Sequence, residues 1–235
     1  MPNYSQLNPE LLVATVEQLS KRVGERFPQA GLFKVSRHLC DIATESRNRV
    51  SETGRRSIWI RCLIGLMLVL LLAGIVMSVF TFKIQPKLDS VTWLEFVQVM
   101  ESGINDVIFV GAGIFFLASL ETRMRRRRIL KALHELRSLA HVIDMHQLTK
   151  DPQRAAGVLI ATPSSPRSEL SPDQLIRYLD YCSEMLSLVG KLAALYLQRS
   201  DDAVVLSTVD EIEGLTTGLS RKIWQKLMII HAGPK

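Results

Sequence analysis

Recognisable chemistry is what this sequence has least of. No serine sits in a Gly-x-Ser-x-Gly turn, no glycine-rich phosphate or dinucleotide loop is present, and the three cysteines, Cys40, Cys62 and Cys182, are never spaced as Cys-x-x-Cys. Those absences remove the nucleophile-elbow hydrolases, the nucleotide enzymes and any zinc site built from cysteine. No run alternates apolar and polar residues convincingly and no internal repeat is visible, so the predicted fold class is all-α. Aromatic residues make up only 6% of the 235 residues, but 47% are hydrophobic, ample for a core. Neither a disordered tail nor a disulfide-stapled miniprotein fits that composition.

The apolar residues are unevenly spread. Mean hydropathy is +0.15 although 22% of residues are charged, which requires concentrated apolar blocks, and there are two. Residues 62–82 carry no charge and span about 31 Å as a helix, enough to cross a bilayer. Residues 102–120 make a second block of roughly 28 Å, uncharged from Val107 on. Arg47, Arg49, Arg55, Arg56 and Arg61 precede the first block. Arg123, Arg125, Arg126, Arg127, Arg128, Lys131 and Arg137 follow the second, while the loop between holds only Lys83 and Lys87. Twelve basic residues against two predict that both termini are cytoplasmic and that residues 83–101 lie on the far side. A secretory signal peptide is not expected, since the first apolar run begins some sixty residues in. A bacterial plasma membrane is the expected location.

The formal net charge of +6 has a local origin. Residues 121–131 hold six positive side chains and one negative, where the second span would leave the bilayer. Arg123, Arg125, Arg126, Arg127, Arg128 and Lys131 are therefore assigned to anionic lipid headgroups, with no nucleic-acid role.

The flanking segments read as amphipathic helices. Asn8 caps a helix with Pro9 at its first position and the stripe Leu12, Val16, Leu19, Val23, ended by Phe27 and Pro28. Leu32, Val35, Leu39 and Ile42 begin a second that runs toward Ser57 and the first span. In the outer loop, Asp89 or Ser90 would cap a short interfacial helix around Trp93. Beyond the second span, Ile129, Leu133, Leu136, Ala140 and Ile143 keep a 4-3-4-3 spacing with no Gly or Pro until Pro152, so the span is expected to continue as a helix. Ser171 and Gln174 form a capping box with Pro172 between them, and Asp201 or Asp202 starts the last helix. Leu175, Leu179, Leu186 and Val189, then Val205, Val209, Ile212, Leu219 and Ile223, carry stripes assigned to assembly.

The predicted organisation is N-terminal cytoplasmic helices over 1–57, a transmembrane hairpin over 58–120, a cytoplasmic extension over 121–149, a linker over 150–171 and a C-terminal helical hairpin over 172–235. The N- and C-terminal helices together form a cytoplasmic bundle. The expected function is a non-enzymatic oligomeric assembly or signalling scaffold whose partners are the bilayer and copies of itself or other membrane subunits. An oligomeric pore is the alternative, with Asn105 and Asp106 at its mouth and Asp106→Asn as its test. A metal-dependent enzyme built on His134, His141 and Asp144 is third, disfavoured because the two histidines stand about 10 Å apart along one helix. No catalytic residue, cofactor or metal is assigned. The three thiols are expected to be reduced.

Overall fold

The computed structural model describes residues 6–53, 58–84, 93–152, 163, 170–198 and 200–232. The junction at 54–57, the outer-loop cap at Asp89 or Ser90 and most of the linker 150–171 lie outside the described residues. Six helices and no strand are present among those described: α1 (Pro9–Arg26), α2 (Gly31–Thr53), α3 (Ile58–Ile84), α4 (Trp93–Leu148), α5 (Pro172–Leu197) and α6 (Ala203–Ala232).

The helix starts have visible causes. Asn8 Oδ1 accepts from the backbone N–H of Glu10 at 2.9 Å, and Pro9 follows at the position where a missing N–H costs nothing. Ser171 and Gln174 cap each other reciprocally, the Ser171 N–H donating to Gln174 Oε1 at 3.0 Å and the Gln174 N–H to Ser171 Oγ at 3.3 Å. Asp202 Oδ1 accepts from Val204 N–H at 2.9 Å and opens α6. The α1 helix stops at Phe27, whose ring turns inward to meet Tyr178 and Tyr181 edge-on.

The chain divides into two compact units, one made of residues 1–54 with 127–235 and the other of residues 55–126. The first is a helical bundle whose helices enclose one continuous core. Leu19, Leu32, Leu39, Leu133, Leu136, Ile143, Leu179, Met185 and Leu192 are its largest fully enclosed side chains. The α5 helix is central, packing against α1, α2 and α6, and it buries side chains around most of its circumference. Two hydroxyl pairs sit inside this core: Tyr196 Oη donates to Ser46 Oγ at 3.0 Å, and the Ser20 and Ser36 hydroxyls meet at 3.0 Å. Ion pairs lace the rim, Arg22 with Glu184, Arg47 with Glu10, Arg49 with Glu45 and Glu135, and Arg137 with Glu211.

The second unit is built differently. Within it α4 meets α3 at Gly113, where any side chain would collide with Met67, and Leu117 is buried. Gly74 and Gly111 face open space. One helical stretch among the described residues, Gly103–Leu148, is long and apolar enough to cross a membrane. Its most apolar window has a mean hydropathy of 1.8 and none of that window is buried. The first predicted span is represented by the shorter apolar stretch Cys62–Gly74. Where the sequence predicts two spanning helices, one among the described residues is long and apolar enough to span.

Candidate functional site

Three features stand out from the bundle's ordinary packing: an uncovered apolar surface, the basic run beside it in sequence, and a polar junction at the end of α4.

In the unit of residues 55–126, large apolar side chains face outward in quantity. Leu70, Leu72 and Met77 on α3 and Val107, Ile108, Phe109, Phe115 and Phe116 on α4 are exposed, the last three at 74%, 76% and 65%. So many large apolar side chains turned outward are costly to leave in water. Asn105 and Asp106, assigned to a pore mouth, are both exposed on α4. The basic run follows. Arg123, Arg125, Arg126, Arg127, Arg128 and Lys131 are all exposed, while Ile129, Ala132 and Leu133 on the same helix turn into the core.

The assembly stripe has another destination. Leu175, Leu179, Leu186, Val189, Val205, Val209, Ile212, Leu219 and Ile223 are each at most 5% exposed. The α5 and α6 helices pack chiefly on each other, so these residues lie in the core of the bundle.

The junction at the C-terminal end of α4 draws in three other helices. Lys226 of α6 donates its Nζ to the carbonyls of Gln147, at 2.7 Å, and Lys150, at 3.1 Å. A cation there satisfies terminal carbonyls and complements the negative end of the helix dipole. Burial lowers the Lys226 pKa, and Asp144 and Asp151 oppose that shift. From α5, Tyr178 Oη lies 3.4 Å from His146 Nδ1, and the Lys150 ammonium stands 5.0 Å from the Tyr178 ring centre. From α2, Gly31 gives the His146 ring room, since a Cβ there would fall 2.5 Å from Cε1. Gln147 is almost wholly buried, and its side-chain nitrogen donates to Asp144 Oδ1 at 2.5 Å.

Burial and then the Lys150 charge lower the His146 pKa below its ordinary value of 6.5. The consequence for stability has a definite sign. Above pH 6.5 the ring is neutral folded or unfolded. As pH falls through 6.5 the unfolded chain takes the proton first, so this group's contribution is lost from there down to the folded pKa. The drop in Tm between about pH 7.5 and about pH 5.5 is therefore expected to be smaller in His146→Gln than in the parent. An equal drop in both would refute that role.

Burial pushes the Cys182 thiol up to about 12, so it stays protonated and unreactive. Cys40 is half-buried and Cys62 exposed, and all three thiols are free. His134 and His141 are exposed on α4, and no three His, Cys, Asp or Glu side chains gather at metal-binding distance among the described residues.

Sequence reasoning passed over Lys226, Tyr178 and Gly31 as junction residues. Lys226 and Gln147 stand 79 positions apart, and no local pattern links residues so distant. Neither a protein-family model, nor a curated protein, nor a solved structure matches the chain.

Proposed function

We propose that the chain is a two-span integral membrane protein of the plasma membrane, with spans at about 62–82 and 102–120 and both termini in the cytoplasm. Its helical bundle serves as a non-enzymatic platform for assembly or signalling. The observation that carries this reading is the wholly unburied apolar window within Gly103–Leu148. It belongs to a chain whose bundle already encloses a complete core of its own. A soluble helix with that composition would be buried, and a bilayer is the cover that needs no specific partner. The charge asymmetry of the flanks gives the orientation, and the exposed arginines at 123 and 125–128 stand where anionic headgroups would meet them.

Single-cysteine labelling in intact cells tests the topology, on a background in which Cys40, Cys62 and Cys182 are serine. A membrane-impermeant maleimide should reach Lys87→Cys from outside, and Ser168→Cys only after permeabilisation. Labelling of Ser168→Cys in sealed cells, or release of the chain by alkaline carbonate, would end this reading. The mass of the particle extracted into nanodiscs then tests the platform role, which expects either a closed multiple of the 26.5 kDa chain or one copy bound to other subunits. A lone monomer would refute it.

A further inference from the structure

The bundle treats its basic residues unequally. Arg22, Arg47, Arg49 and Arg137 all pair with carboxylates on other helices. Lys34, His38, Lys131 and His134 have no hydrogen bond or ion pair among the described residues, yet all four line one groove of about 540 Å³ between α2 and α4. The two helices run antiparallel, because Gly31 meets His146 while Arg49, at the other end of α2, reaches Glu135 at 3.2 Å. Lys34 therefore lies toward one end of the groove and Lys131 toward the other, with the histidines between them. Glu135 also lines the groove, and its charge is already engaged by Arg49. Val35 and Leu139, both buried, form an apolar floor.

We propose that this groove binds a phosphomonoester with a small apolar body. The two imidazoles between the ends each offer at least one N–H to phosphate oxygens, neutral or protonated, and the lysines at the two ends add positive charge to the groove. The apolar body would rest on Val35 and Leu139, and the volume falls in the range of small-ligand sites. Arg127 and Arg128, one turn before Lys131 on the same helix, raise the positive potential that draws a dianion in. The shared chemistry is the phosphomonoester, either free in solution or carried on a phosphatidic acid headgroup. The inference rests on two helices of the bundle alone and does not depend on the membrane topology.

The test uses the full chain in phosphatidylcholine nanodiscs, with the His38 and His134 ring resonances followed by NMR. One arm titrates phenyl phosphate, and the other replaces about a tenth of the lipid with phosphatidic acid. Both resonances should shift saturably in at least one arm, and the half-saturation concentration should rise about tenfold or more in Lys34→Gln/Lys131→Gln. Both lysines are exposed, so circular dichroism of this variant should match the parent. A response to phenyl phosphate identifies a soluble ligand, and a response to phosphatidic acid alone identifies a lipid-borne one. Silence in both arms, or a shift unchanged in the double variant, overturns the proposal. Should the chain not enter nanodiscs, the topology fails separately, and the first arm decides the groove in detergent micelles.

Discussion

Aspartate at both Phe109 and Phe116 is expected to release the chain from membranes. The two rings are 74% and 65% exposed on α4, and the sign of their replacement depends entirely on what covers them. Facing water, Phe→Asp removes an apolar patch and improves solubility without harming the fold. Facing lipid, each aspartate near the middle of a span costs about 2.5–3.5 kcal/mol of insertion free energy, and the pair roughly 5–7 kcal/mol. Such a change shifts most of the chain from the carbonate-resistant pellet to the supernatant or to degradation. Sedimentation like the parent's, with undiminished yield, would show that a protein surface covers α4 instead.

Leu136→Ala should be the most damaging single truncation in the bundle portion of α4. The side chain is 0% exposed and lies in the core shared with α5 and α6. Removing a leucine from such a site costs about 2–5 kcal/mol, part transfer free energy and part unfilled cavity. Chemical denaturation followed by circular dichroism should show the loss as a lower midpoint at an unchanged slope. Leu148→Ala is the control, since Leu148 is 56% exposed on the same helix and should change stability by no more than about 0.5 kcal/mol. Equal midpoints for the two variants would contradict the packing described for α4.

Helix starts and inward faces were legible because each depends on residues close in sequence. Asn8, Ser171 with Gln174, and Asp202 announce caps that form as expected, and Leu12, Val16, Leu19 and Val23 are all buried. The circumference of α5 was not legible. A single stripe of Leu175, Leu179, Leu186 and Val189 accounts for one face, whereas Tyr178, Tyr181, Leu188, Leu192 and Tyr196 are buried as well. A central helix meets neighbours on several sides, and periodicity alone reports one. The stripes on α5 and α6 are buried within the chain, and their spacing could not say so, because an apolar face has the same spacing whether its cover comes from its own chain or another. The groove at Lys34 and His38 was invisible for a related reason. Charged residues on an amphipathic helix read as solvated, and only the fold brings Lys131 and His134 opposite them.

The bundle has a consequence for synthesis. Ser46 closes on Tyr196, 150 residues away, and α1 and α2, which pack chiefly on each other, also pack on α5. At about 5–20 residues per second, the ribosome needs on the order of 10–30 s after finishing α2 before it delivers that helix. Through this interval the parts of α1 and α2 that α5 covers stay open. A chain truncated before residue 172 never receives α5, which should make it a substrate for chaperones and proteases.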